Sequence, residues 1–175
     1  FLSSSFCPDG NTVVSGCADH TIRVWVLNGT PIGEPFEGHS DSVWLVAFSP
    51  EGGTLASGQG DRLVHLWEMP SGEPLETLAG AQNAIWDVTF SPDGKWLASG
   101  NEDGKVHLWK LSGGQLSGSR SHRSLVGHSK SIWSVAFDPK GETIASGSAD
   151  QSIKLWDEKT RKSRQTFTQH QHWVC

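Results

Sequence analysis

Serine, histidine and aspartate recur in this chain in an order that could perform nucleophilic hydrolysis, the histidine activating a hydroxyl and the aspartate orienting the ring. His39, Ser57 and Asp61 form one such group, and His128, Ser146 and Asp150 another. The hydrolase reading fails on two counts. No Gly-x-Ser-x-Gly turn is present to lift a serine out of a sheet, and each serine falls within an apolar run. Catalysis also needs a single exposed nucleophile beside an oxyanion site, whereas Ser15, Ser57, Ser99 and Ser146, with Asp19, Asp61, Asp103 and Asp150, return at repeat spacing. A chain that is not an enzyme is expected, with no cofactor.

Metal chemistry is the next reading. His65 and His107 take the strand position that Arg23 and Lys154 hold elsewhere, the pattern of a solvated face rather than a ligand cluster. His170 and His172 could present two rings on one face of a strand, but no neighbouring cysteine completes a zinc-like set, so no metal is expected. Cys7, Cys17 and Cys175 are odd in number and fall at three different places in the repeat, which reads as free thiols in a reducing cytoplasm. The basic run from Lys159 to Arg164 is short, and the net charge is -5 with a pI near 5.9, which argues against nucleic acid as a partner. No apolar run approaches the roughly 20 residues of a membrane-spanning helix, and no signal segment opens the chain, so no membrane partner is expected.

Positioning these residues is the task of a repeat. Nine Trp and 20 Gly stand against no Tyr in 175 residues, and four segments beginning at Ser3, Leu45, Asp87 and Ser134 share one pattern ending in Trp25, Trp67, Trp109 and Trp156. The tryptophans are 42, 42 and 47 residues apart, close to the length of a four-stranded propeller blade. The five extra residues are expected in a Gly/Ser-rich loop from Leu111 to His122. Pro8-Asp9-Gly10, Pro50-Glu51-Gly52, Pro92-Asp93-Gly94 and Pro139-Lys140-Gly141 each separate two apolar runs, as hairpin turns do. Runs such as Ser152 to Trp156 alternate with period two, and no stretch has helical periodicity. In each first strand the apolar positions slip by one, as at Val43, Val46 and Phe48, which predicts a β-bulge that re-aims Trp44, Trp86 and Trp133 toward one rim.

Gly38-His39, Phe48-Ser49-Pro50, Leu55-Ala56-Ser57-Gly58, Asp61 and Leu66-Trp67, in this order, make the sequence resemble the WD-repeat β-propeller family over nearly its whole length, in a style similar to bacterial, especially cyanobacterial, propellers. The resemblance implies an all-β propeller of four-stranded antiparallel blades, four repeats per chain, in one unit spanning 1–175 with repeats near 1–38, 39–80, 81–127 and 128–175. It also implies a buried hydrogen-bonded set in each blade: a turn Asp, a His before the first strand, a Ser on the second and a Trp on the third. Two sets are complete, His39, Ser57, Asp61, Trp67 and His128, Ser146, Asp150, Trp156. In the third, Ala81 replaces the His, so Ser99, Asp103 and Trp109 should lose their link, at a cost of about 1–3 kcal/mol, and this blade should be the loosest. For Ser15, Asp19 and Trp25 the matching His is His170, far along the chain.

The family uses the bulge position to contact partners on the rim around the channel. Trp44, Trp86 and Trp133 are therefore the expected contact residues for a protein or peptide, with Ser42, Ser131 and Glu102 beside them and Ala18, Gly60, Ala84 and Ala149 nearby. The competing reading has the rings only filling space between blades. A non-catalytic interaction scaffold is the leading function; glycan or small-ligand recognition on the same rim, or a structural part of a larger signalling or NTPase-linked protein, are the alternatives. Propellers close with four to eight blades. Four repeats allow a small four-bladed ring, a fragment of a longer propeller, or two chains sharing a ring of eight. The last is favoured, as a homodimer that completes the His170 set in trans.

Overall fold

The computed structural model describes residues 3–59, 62–79, 83–113, 115–117 and 122–175. Strands β1 (Ser3–Phe6), β2 (Thr12–Gly16), β3 (Ile22–Val26) and β4 (Pro31–Phe36) form one antiparallel sheet in chain order. The second sheet is β5 (Val43–Phe48), β6 (Thr54–Gln59), β7 (Val64–Glu68) and β8 (Pro74–Leu78). In the third, β9 (Ile85–Phe90), β10 (Trp96–Asn101) and β11 (Lys105–Ser112) are followed by the two-residue β12 (Gln115–Leu116) and the outer β13 (His122–Val126). The fourth is β14 (Ile132–Phe137), β15 (Thr143–Ser148), β16 (Ile153–Asp157) and β17 (Ser163–Phe167). Four sheets of antiparallel strands, one per repeat, are the blades of a β-propeller. No helix among the described residues is long and apolar enough to cross a membrane.

Local chemistry sets the hairpins. In the turn between β1 and β2, Gly10 adopts φ +69°, open to glycine at no steric cost, and Asp9 accepts the N–H groups of Asn11 and Thr12 at 2.8 and 2.9 Å. Asp138 does the same work before β15, accepting from Glu142 and Thr143 at 2.8 Å. Prolines that would break a central ladder fall on the outer strands β4 and β8, where a missing N–H costs little. The stretch from Leu111 differs from the expected plain loop: Leu111 pairs with Leu116 and Ser112 with Gln115 in a short ribbon. The ribbon is held because the Leu116 N–H donates to Glu76 of β8 at 2.7 Å and its side chain joins the neighbouring core.

The hydrophobic core lies between sheets, in three parcels. Val14, Ile22, Val24 and Phe36 of the first sheet pack on Val43, Val46, Leu55 and Trp67 of the second. Ala56, Val64, Leu66 and Leu78 then pack on Ile85, Val88, Phe90, Leu97 and Trp109, and Ala98, Val106, Leu108 and Leu125 on Ile132, Val135, Ile144 and Trp156. The period-two alternation explains the division: one face of each strand serves the preceding interface and the other the following one. Complete burial of such side chains stabilises by about 1.5–3 kcal/mol each. The inner strands accordingly pack in series, β1 on β5, β5 on β9 and β9 on β14, with no comparable packing of β14 on β1 among the described residues.

Candidate functional site

The polar set of the fourth sheet is built as a directed relay. Trp156 Nε1–H donates to Ser146 Oγ at 2.8 Å; Ser146 Oγ lies 2.8 Å from His128 Nε2; and His128 Nδ1 lies 2.8 Å from Asp150 Oδ2. An indole can only donate and a carboxylate can only accept, so the polarity runs from Trp through Ser and His to Asp, with the histidine proton on Nδ1. Burial pushes the Asp150 carboxyl upward, but hydrogen bonds from Ser152, the Ser129 N–H and His128 outweigh it and hold its pKa well below the usual carboxylate range. In the second sheet His39 Nε2 lies 2.6 Å from Ser57 Oγ, to which Trp67 Nε1–H donates at 2.7 Å; Asp61 lies outside the described residues. Ser57 and Ser146 are 0% and 1% exposed, each hydroxyl held between its indole and its histidine.

The third sheet is wired differently. Ala81 is outside the described residues, and the Trp109 indole donates to the Ala79 carbonyl at 3.4 Å instead of to Ser99. Ser99 Oγ accepts from the Asn101 amide at 3.0 Å, while Asp103 pairs with Lys105 at 3.0 Å and stands 3.6 Å from His107 Nε2. Ser99, Asp103 and Trp109 thus do not bond one another; Trp109 and Ser99 take other partners, while Asp103 Oδ2, beside the Lys105 ammonium, and His107 Nε2 are buried without a hydrogen bond. His107 also overturns the solvated-face reading, because it is only 3% exposed, its Nδ1 2.7 Å from His122 Nε2 and the two rings parallel to within 3°. The reason is the diagonal across β11 and β13, where Trp109 is opposite His122 and the indole shields both rings. Burial lowers the pKa of both histidines. Sequence reasoning missed His122, whose only signal was its place on an outer strand after a loop of unusual length.

In the first sheet Trp25 Nε1–H donates to Ser15 Oγ at 2.9 Å, but no histidine reaches Ser15 among the described residues. Asp19 is turned to its own hairpin, accepting from Thr21 Oγ1 at 2.6 Å and from Arg23 at 3.3 Å; the Thr21 hydroxyl chiefly holds its pKa at about 2. His170 is exposed beyond β17 and joins none of these groups.

At the bulges the register slips between Val43 and Leu45 and between Ile132 and Ser134, and Asn101 and Gly100 pair with Ile85 and Asp87, so Trp44, Trp133 and Trp86 are the extra residues. Each is half-buried. The rings form one array: Trp44 to Trp86 at 5.4 Å, Trp86 to Trp133 at 4.6 Å and Trp133 to Trp173 at 6.0 Å between centroids. Trp173, 59% exposed, was not anticipated; it aligns with Ser42, a position at which the sequence otherwise offers only small residues. The Nε1 atoms of Trp86 and Trp133 are buried without a hydrogen-bond partner. Around them Ser42 Oγ–H reaches the Ala18 carbonyl at 3.5 Å, Ser131 Oγ–H the Glu102 carbonyl at 3.4 Å, and the exposed Glu102 donates its N–H to Ala84 at 3.0 Å. The two serine contacts tie the turn of one sheet to the first strand of the next, and the Glu102 contact closes the end of the third sheet. Asp87, also unforeseen, ties β9 to β14 by accepting the Val88 and Val135 N–H groups at 2.9 and 2.8 Å, and burial raises its pKa.

The family model described as WD domain, G-beta repeat matches at residues 2–26, 29–68, 72–110 and 119–157, one match per sheet. The chain belongs to the WD-repeat family. Its blades are therefore WD blades, and the buried Trp, Ser, His and Asp groups are their internal polar sets. WD repeats generally mediate protein–protein interaction and are generally non-catalytic. A search of the curated proteins found no match.

Proposed function

We propose that this WD-repeat chain is a non-catalytic scaffold that presents its rim to a protein or peptide, with Trp44, Trp86 and Trp133 as the contact residues and two copies completing a ring of eight blades. The observation that carries the reading is the ring array, in which half-buried indoles from three blades lie 4.6–5.4 Å apart and continue into the exposed Trp173. Stacked indoles are large and rigid, so binding against them orders few side chains, and Trp is enriched where truncation costs most. Ser42 and Ser131 each donate a hydroxyl to a carbonyl of the preceding blade, at Ala18 and Glu102, and so stitch neighbouring blades beside the array. Nucleic acid is not the proposed partner, since a net charge of -5 gives phosphates no attraction. Cys7, Cys17 and Cys175 form no disulfide, which supports a cytoplasmic location.

The test is a peptide-array screen beside a glycan array, repeated with Trp44→Ala and Trp86→Ala. Peptide ligands whose binding falls at least about tenfold in both variants, with an unchanged thermal midpoint, are the expected outcome. Glycan binding that disappears in Trp44→Ala would instead mark the same rim as a sugar site. Variants that only lower the midpoint, with no ligand on either array, would reduce the array to packing between blades.

A further inference from the structure

One position on the third strand of a blade recurrently meets a hydroxyl on the outer strand beside it. His65 is paired with Thr77 across β7 and β8, its Nδ1 3.3 Å from the Thr77 hydroxyl. Lys154 is paired with Thr166 across β16 and β17 and donates to its hydroxyl at 3.1 Å. His107 is likewise paired with Ser124 across β11 and β13, but the Ser124 hydroxyl stands 3.4 Å from its Nδ1, and His122 Nε2 is closer, 2.7 Å away on the diagonal. The third blade thus offers one imidazole nitrogen two partners, a hydroxyl that does not titrate and a histidine that does.

The strand that carries both partners is fastened unevenly. Leu125 is fully buried among Val106, Leu108, Ile132 and Ile144 and anchors one end of β13. His122 and Ser124, toward the other end, are exposed, and Arg123 between them lies over the Trp96 ring at 4.9 Å. No fully buried apolar side chain fixes this half, so beside the backbone ladder the imidazole pair is its tie to the interior of the blade. The charged groups that face His107 are Asp103 and Lys105 of its own hairpin and His122 of β13. β10 faces it with the neutral Ser99, and the charged side chain of β8, Glu76, accepts the Leu116 N–H.

A hydrogen bond between two imidazole nitrogens needs one proton between them. The neutral pair supplies it when His122 Nε2–H donates to His107 Nδ1, which leaves His107 Nε2–H rather than a lone pair facing the Asp103 carboxylate at 3.6 Å. One further proton from solvent is accommodated, because a cationic ring still donates to a neutral one. A second puts an N–H on both nitrogens, two donors and two cations with no acceptor between them, and the bond is lost. His107 Nδ1–H then donates to Ser124, and His122 turns to water.

We propose that His107 and His122 form an acid-operated latch: protonation of both rings parts them and frees residues 122–124 of β13 from β11, uncovering the outer edge of the third blade while Leu125 holds the other end of the strand. Its direction follows from the open form, in which a solvated His122 takes up its proton near the ordinary value of about 6.5, whereas the closed pair resists the charge. Closure is therefore complete above that pH and is lost as pH falls below it.

The test is amide hydrogen exchange of the 175-residue chain by NMR at about pH 7.5 and about pH 5, corrected for intrinsic rates. The protected amides of residues 122–124 are expected to lose at least about tenfold in protection at the lower pH, with Leu125 and the outer strand β8 unchanged. His122→Gln substitutes an amide that turns to donate to, or accept from, His107 Nδ1 in either charge state; it should keep protection within about threefold of wild type at the higher pH and lose the acid response. The imidazole nitrogen resonances of wild type give a readout that needs no variant, both rings becoming cationic at the midpoint of the exchange change. An acid response that is absent from wild type, shared by β8 or retained by His122→Gln would overturn the latch, as would loss of protection while either ring stays neutral.

Discussion

The fourth and third blades solve one problem in two ways. Both bury a third-strand tryptophan to 1% exposure and must satisfy its indole N–H. The fourth blade does so with a continuous relay from Trp156 through Ser146 and His128 to Asp150, each link 2.8 Å long. The third breaks the relay into separate bonds: a 3.4 Å contact from Trp109 to Ala79, a local Ser99 and Asn101 pair, and a His107 and His122 pair on the outer side. Bonds in series polarise one another and fail together, whereas separate bonds fail singly. The comparison teaches that a broken relay is replaced by an additive set of bonds that still leaves Asp103 Oδ2 and His107 Nε2 buried without a hydrogen bond.

The largest expected effect separates the two serines. Ser146→Ala strands both the Trp156 indole and His128 Nε2 and should cost about 2–4 kcal/mol, while Ser99→Ala should cost about 1 kcal/mol because the Asn101 amide keeps the Lys105 carbonyl. Urea midpoints measure both, and equal losses would erase the distinction between coupled and separate bonding. Next come the turn carboxylates. Asp150→Asn removes the charge and one of the two accepting oxygens, so that either the His128 and Ser129 bonds or the Ser152 bonds are lost, and should lose about 1.5–3 kcal/mol; Asp103→Asn, which only weakens a pair with Lys105, should lose at most about 1 kcal/mol.

The smallest effect is a difference in acid response. His107 and His122 have lowered pKa values in the folded chain, so the unfolded chain takes up protons first as pH falls through about 6.5, and stability declines from there toward the folded values. Asp150 is also lowered, but from a carboxylate's value, so its contribution persists until pH falls below about 4. Mild acid should therefore lower the urea midpoint through the His107 and His122 pair of the third blade. His107→Gln should flatten that slope between pH 7 and 5, and a slope unchanged by the substitution would place the titrating groups elsewhere.

Much of this was legible in the residues. The 42-residue spacing of the tryptophans, the Pro-x-Gly turns and the phase slip at Val43, Val46 and Phe48 locate the blades, the hairpins and the bulges, because turn chemistry and side-chain alternation are local properties. The polar set of the fourth blade was legible for a different reason: His128, Ser146, Asp150 and Trp156 match the set that the resemblance to WD repeats implies. The substitutes in the third blade were not. Asn101 and His122 are residue types that do not recur at their places in the other repeats, and the hydrogen bond to the Ala79 carbonyl leaves no mark on the identity of the residue that supplies it.

What the sequence determined by itself is the unit: strand order, register, the alternation that gives each sheet two apolar faces, and hence a protein that must stack its repeats. The tertiary structure decided what stacking does to individual groups. It buried His107, which strand position alone assigned to water; it brought Trp44, Trp86, Trp133 and Trp173 into one array across three interfaces; and it made Asp87 a clamp between two inner strands. The physical reason is that periodicity specifies which face a side chain takes, while burial, partners and ring stacking depend on the neighbouring sheet, about 40 residues away in the chain.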